Sequence, residues 1–411
     1  GDVSDLRVEN AYAGWRSGNL FSSLGENFLD ISFGRQQYKV GDGFLLYSYA
    51  GSGGDRGAYW IGGRRAAEYA GIVRMKTGGL NVDLVYLEND PISNDSTELG
   101  GATVNYTFND NASIGGGLYT LDSDIDSRDG MNVFDIRGGV KPFAAANGPE
   151  ALRPLRFDAE YVHEDRDDGF DAGNGWHITT SYQFEQVAWQ PTLSYRYASF
   201  DENYDTLFYG FADWGSWYQG EIIGEYVLGN SNLDSHMVKL KVQPLEPVAV
   251  SLFYYNFTIH DAGDFGVKDD AYADELDLVI DWSVNDHLSL SLVGALAMPD
   301  DGATEHTGGD DDWSYVMLYG SINFCSCPAR SPFDRPVEGV RPPPVGPGWS
   351  DGRFFVLHPC RPRCLRPYRS AGQVPDCGMP LQAQPAAATT TPATPLPAPV
   401  AELSDRSTTP C

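Results

Sequence analysis

The chain has 411 residues, with 57 Asp and Glu against 28 Lys and Arg, for a net charge of -29. That balance excludes nucleic acid as a partner, because phosphate backbones are held by basic clusters. Length alone would suggest two or three soluble domains, but the 46 glycines, 23 tyrosines and 20 phenylalanines point elsewhere, and no apolar run approaches the ~18 residues of a membrane-crossing helix.

The chain begins at Gly1, as expected where an export signal has been removed or was never included. From there to residue 324 it reads as strands of about ten residues, apolar at every second position. Strands are predicted at 6–15, 28–38, 68–76, 80–88, 98–108, 112–120, 132–142, 154–163, 175–184, 189–198, 236–243, 247–257, 274–284, 287–297 and 313–324. Leu276, Leu278, Ile280 and Trp282, for example, alternate with Glu275, Asp277, Val279 and Asp281. A soluble sandwich would show the same alternation, so two further features decide. The apolar faces are broad and end in aromatics such as Trp176, Tyr195, Tyr197 and Trp282, as in the girdles of outer-membrane barrels. The links also alternate. Short ones lie at 77–79, 109–111, 185–187, 243–247 and 285–287, and longer acidic ones at 89–97, 121–130, 164–173, 258–273 and 298–312. Short turns at one end and long loops at the other are the barrel pattern. The predicted fold is therefore all-β, an antiparallel transmembrane β-barrel in the bacterial outer membrane.

Parity adds a constraint. A further strand at 217–227 would put two long links on opposite sides, so 199–235 is read as one long external loop. Fifteen strands remain, an odd number, whereas bacterial single-chain barrels are even. An odd number of N-terminal strands is expected to be missing. Strands 6–15 and 313–324 should then meet in an open or a parallel seam.

Residues 325–411 differ abruptly. They hold all six cysteines (Cys325, Cys327, Cys360, Cys364, Cys377 and Cys411), 18 of the 26 prolines and no lysine. Such a segment buries too little apolar surface to offset chain entropy. It reads as a disordered, Pro-rich extension past a natural end that does not pack on the barrel. The cysteine spacings fit a zinc ribbon poorly, and no metal centre or cofactor is expected.

Alternation places a set of charges inside the bore. Arg74, Lys76, Arg137, Lys141, Arg156, Arg196, Lys239 and Lys241 are the cations, with Asp135, Asp158, Glu160, Asp277 and Asp281 among them. They form either a ladder that binds an anion weakly and repeatedly, or cross-strand pairs that keep a polar bore solvated. Arg35 follows Gly34, where a bulge would turn it inward. The glycine-rich segment 42–67 carries Arg56, Arg64 and Arg65 and is either a constriction folded into the bore or an exposed loop. Trp214, Trp217 and Tyr218 in 199–235 could stack on sugar rings or pack the loop onto the rim. Asp122, Asp124, Asp126 and Asp129 resemble the start of an EF-hand, but Ser127 and Val133 stand where Gly and Glu are needed. With Asp165, Asp167, Asp168 and Asp310–Asp312 they suggest, at most, loose divalent-cation binding at an acidic rim. A hydrolytic barrel needs a nucleophile within reach of a histidine. The best pair, His177 and Ser181, is separated by ~13 Å along a strand, so an enzyme is not expected.

The segment Val8-Glu9-Asn10-Ala11-Tyr12-Ala13-Gly14-Trp15, followed by Leu29-Asp30-Ile31-Ser32-Phe33-Gly34-Arg35-Gln36 and the link Gly41-Asp42-Gly43-Phe44-Leu45, resembles the bacterial alginate-export porin family. Glu275-Leu276-Asp277-Leu278 and a closing strand to Phe324 also fit, and the resemblance covers roughly residues 5–324. It implies an eighteen-stranded barrel of which about fifteen strands are present, and passive passage of an anionic polysaccharide. The alternatives are a general or sugar-selective porin and, from another class, a barrel enzyme. The implied partners are outer-membrane lipid and an anionic polysaccharide or small solute. An alginate conduit is expected to line its bore with arginine, and this chain departs from that pattern in being acidic overall.

Overall fold

The computed structural model describes residues 8–51, 64–91, 95–144, 148–166, 169–322 and the backbone of 355–356. The strands are β1 (Ala11–Arg16), β2 (Leu29–Gln36), β3 (Ala67–Thr77), β4 (Leu80–Glu88), β5 (Thr97–Asn109), β6 (Ala112–Ser123), β7 (Asn132–Val140), β8 (Arg156–Asp165), β9 (Gly173–Gln183), β10 (Thr192–Phe200), β11 (Leu233–Leu245), β12 (Val248–Ile259), β13 (Ala271–Ser283), β14 (Leu288–Pro299), β15 (Trp313–Ile322) and a two-residue β16 (Phe355–Val356). Each of β1–β15 coincides with a predicted strand. From β1 to β15 every strand pairs antiparallel with its sequence neighbours in one meandering sheet. Two short helices, Ala262–Phe265 and Asp301–Thr307, sit in long links.

The turns at one end are tight. β3 and β4 are joined by Gly78–Gly79, with Thr77 opposite Leu80 and Gly78 at φ +54°, a backbone conformation that glycine adopts without steric cost. At the other end the connections are long. In two of them, the described residues 37–51 and 201–232 turn back into the barrel. Leu45 and Leu46 are fully buried although both lie outside any strand, which requires the sheet to curl round them. Gly41, in the β2–β3 connection, lies against Arg137 of β7 and Glu160 of β8, contacts that a flat sheet could not make.

The polarity of the wall is reversed relative to a soluble protein. Leu118, Phe134, Ile136, Leu193, Leu240, Leu278, Leu292 and Val316 are exposed on the outside, with Leu118 at 65% and Val316 at 68%. Their inward neighbours Asp135, Arg137, Glu160, Glu275 and Asp277 are buried. Leaving one such apolar side chain in water forfeits about 1.5–3 kcal/mol, and dozens are exposed, so the outer face is built for hydrocarbon. The chain forms a membrane-spanning β-barrel of the outer-membrane type.

Three features depart from the sequence reading. Segment 201–232 is not an external loop: Trp217 and Gln219 within it are 1% and 0% exposed, because its aromatics find a larger apolar partner inside the bore than at the rim. Residues 199–200 and 233–235 belong to β10 and β11. Among the described residues no ladder joins β15 to β1, which matches the open form of the expected seam, but β1 also takes β16 antiparallel on its free edge, with Ala13 opposite Val356 and Gly14 opposite Phe355. An unpaired edge accepts an extended segment through its backbone alone, so the composition of 325–411 gave no sign of this pairing. The rest of that segment lies outside the described residues.

Candidate functional site

The bore is layered. At the long-loop end the two inward segments pack together and against the wall. Residues 43–48 run beside 208–210 through main-chain bonds, with Tyr47 N donating to Phe208 O at 2.7 Å and Gly210 N to Gly43 O at 3.1 Å. Phe44 packs edge-on to Trp217, ring centroids 4.6 Å apart, and stacks on Phe200 at 5.6 Å. On β12 the inward residues Phe253, Tyr255 and Phe257 form a near-parallel stack. Alternation along β12 explains this directly, since residues two apart share a face.

The inward segments are tied to the wall by charge. The Glu275 carboxylate accepts the backbone N–H of Ile222 and of Ile223, each at 2.8 Å, which satisfies two donors in a π-helical turn at Ile223–Val227. Trp214 Nε1 donates to Asp281 at 3.1 Å. Arg128 forks onto Asp205 with two 2.7 Å bonds, the bidentate geometry that suits guanidinium to carboxylate. Burial pushes Asp213 up, but the ammonium groups of Lys239 and Lys241 outweigh it and hold the carboxyl below its ordinary range. Two other loop acids move the opposite way. Glu221 is pushed up to about 7 by burial and then by Glu275, and Glu225 to about 8 by burial and then by Glu221.

Along the bore the predicted cations meet acids. Arg35 reaches Asp90 at 2.8 Å and Glu9 at 3.6 Å. The register shifts between Gly34 and Gln36, with Gly34 at φ +128°, so the bulge does turn Arg35 inward. Arg64 bonds to the same Asp90. Arg65 donates to Tyr47 Oη at 2.8 Å and lies over its ring. Arg74 pairs with Asp83 at 3.1 Å, and Arg156 with Asp158 at 2.7 Å. Arg137 bonds to Asp135, Thr103 and Asn105. Arg196 donates to Gln219 at 3.2 Å and stacks over Trp217. Lys239 and Lys241 approach Asp213 at 3.4 and 3.6 Å. Lys141 is half-buried at the short-turn end, its backbone N–H on Asn111 O. Arg56 lies outside the described residues.

Glycine makes room for these pairs. A Cβ on Gly117 would collide with Asp135 and Tyr119, and one on Gly139 with Arg156 and Asp158. The side chains therefore lie along the wall in notches left by their neighbours.

Beside the Gly78–Gly79 turn is a cavity of about 410 Å³. Lys39, Arg74, Lys76 and Arg137 line it, with Asp83 the one acid in its lining. The size suits a small organic solute, and the excess of cations favours an anion. Lys39 was missed by sequence reasoning. It lies outside any strand, so alternation says nothing about its direction, and only the inward fold of 37–51 brings it here. Trp214 and Trp217 are buried against the barrel, and so are not presented to a saccharide.

The described strands make a β-barrel with an apolar outer wall and a charged, partly plugged bore. No protein-family model matches the chain, and no curated protein does. Among solved structures, it is similar to OccK10 (OpdN) of Pseudomonas aeruginosa at 12% identity, over 72% of this chain and 81% of that one, with a TM-score of 0.48. It is also similar to the outer membrane protein OprD from Pseudomonas aeruginosa (14%, 72% and 76%, TM-score 0.46) and to OccAB1 of Acinetobacter baumannii (16%, 72% and 74%, TM-score 0.45).

Proposed function

We propose that the protein is an outer-membrane channel for passive diffusion of small solutes, with a preference for anions. The observation that carries this reading is the reversed polarity of the wall, apolar side chains outward and charged pairs inward, together with the cation-lined cavity at the short-turn end. A solute would enter the cavity, exchange its water for the ammonium groups of Lys39 and Lys76 beside the carboxylate-paired Arg74 and Arg137, and leave again. Weak, multiple contacts allow release as well as entry. No bond is made or broken, so catalytic groups have no part in it.

The finer reading implied by the alginate-export resemblance, passage of an anionic polysaccharide, has less support. Arg35, Arg64, Arg74, Arg137 and Arg156 are each answered by a carboxylate, and the packed segments 37–51 and 201–232 narrow the bore. A small solute fits such a path better than a polymer chain.

The test is reversal potential in planar bilayers under a salt gradient. The wild type should favour anions, and the Lys39→Glu/Lys76→Glu variant should shift towards cations. Identical potentials would remove the cavity from the conduction path. Addition of a polyuronate distinguishes the finer reading: block at low concentration would favour the polysaccharide, and unchanged current the small solute.

A further inference from the structure

We infer that Asp42, Glu160 and His177 form a site for a divalent first-row metal ion that clasps the inward segment to the barrel wall. Asp42 lies in the β2–β3 connection, Glu160 on β8 and His177 on β9, and each offers one donor atom, all within 4.8 Å of one another. Donors bound to one ion at 2.0–2.2 Å lie at most about 4.4 Å apart, so at the upper end of that spread a small closing motion completes the site. Asp42 is the exposed member and the natural one to move.

The independent sign of a missing partner is at Glu160. Its side chain is 5% exposed, and Oε1 is buried with no hydrogen-bond partner among the described residues. A buried carboxylate in that state is costly unless a charge or donor meets it. The carboxylate faces the loop, since a Cβ on Gly41 would sit 3.1 Å from Oε2. The nearby cation Arg137 turns three of its guanidinium N–H groups to Asp135, Thr103 and Asn105.

The other two donors have partners that orient them. Trp217 Nε1 donates to Asp42 Oδ1 at 3.0 Å, and Phe44 N to the same oxygen at 3.3 Å, which leaves Oδ2 for an ion. His177 is 3% exposed, lies 4.7 Å from the Trp217 ring and 5.2 Å from that of Phe44 between centroids, and has Thr179 Oγ1 at 3.3 Å from Nδ1. Outer partners of this kind fix ligand orientation. Two carboxylates and a neutral imidazole match a dication in charge, and the mixed oxygen and nitrogen set suits manganese, iron, cobalt or zinc over calcium or magnesium.

Mn2+ is the probe of choice, because the six cysteines beyond residue 324 would compete for softer Zn2+. The full chain, folded in detergent and freed of any histidine tag, is titrated with Mn2+ and the loss of the free-ion EPR signal is read. We expect one site per chain tighter than the background of the acidic loops, weakened tenfold or more by Glu160→Gln, by His177→Gln and by Asp42→Asn. Asp42→Asn lies in a loop and tests the site even if a wall variant fails to fold. Identical titration curves for the wild type and Asp42→Asn would overturn the proposal. The readout is independent of conduction, so failure here and failure of the channel reading are separable.

Discussion

The indole of Trp217 lies under the guanidinium of Arg196, whose central carbon is 4.4 Å from the ring centroid. Arg196 is a wall residue of β10, and Trp217 belongs to the segment that turns into the bore. A buried arginine with no carboxylate at bonding distance among the described residues is thus met by an aromatic face and by Gln219, an arrangement favourable because the ring face is electron-rich. The contact joins wall to plug.

Trp217→Ala should release that plug. Loss of a fully buried tryptophan typically costs about 3–5 kcal/mol, and here it also removes the donor to Asp42. The expected outcome is a lower urea midpoint and a higher, noisier single-channel current. A variant with wild-type conductance and stability would show that segment 201–232 stays packed without this anchor.

The pairs on Asp90 and on Asp30 should behave differently. Asp90 is buried and meets both Arg35 and Arg64, so Asp90→Ala leaves buried guanidinium groups without that carboxylate, at a cost of about 3–5 kcal/mol. Asp30 pairs with the half-exposed Arg16, and Asp30→Ala should cost about 0–1 kcal/mol. Equal shifts in reversible unfolding would mean that the inner network carries no special weight.

The plug should loosen as pH rises. The carboxyls of Glu221 and Glu225, raised to about 7 and about 8, hold protons in the packed loop that they would lose in a freed one at their ordinary value of 4.5. The packed state then binds more protons, and its stability falls with rising pH through the window from 4.5 to about 8, levelling off above it. Single-channel recordings across that window should show the open time increasing with pH in the wild type and a flatter profile in Glu221→Gln/Glu225→Gln. A profile that the double variant leaves unchanged would assign the effect to other groups.

The outer wall predicts a depth-dependent penalty. Leu278 faces outward near the middle of β13, and Leu278→Arg should cost about 2–4 kcal/mol of folding into lipid vesicles. The same change at Leu245, exposed at the short-turn end of β11, should cost about 0–1 kcal/mol. Equal values would place neither residue in hydrocarbon.

The strands were legible because the face of every residue follows from a period of two, and the wall of a barrel is one side chain thick. Leu276 and Leu278 declare themselves by alternating with Glu275 and Asp277. The interior was less legible. Trp217 and Phe44 look the same in sequence whether their connections stand outside or fold inward, since loop residues carry no period. The charges on Arg74 and Arg137 were visible, and so was Asp135 two residues from Arg137 on one strand, but the pairing of Arg74 with Asp83 depends on cross-strand register. Divalent cations were sought at acidic rims, where the carboxylates are adjacent in sequence. Asp42, Glu160 and His177 come from three separate elements, and no spacing motif links them.

The glycine notches have a consequence for any attempt to redirect the channel. Because Asp135, Arg156 and Asp158 recline into the space at Gly117 and Gly139, they take up little of the cross-section, and exchanging one charge for another there alters the electrostatic field more than the aperture. Width is governed by the chain segments lying across the opening. Shortening 201–232 would therefore be the route to bulkier cargo, and editing the staves the route to a different sign of charge.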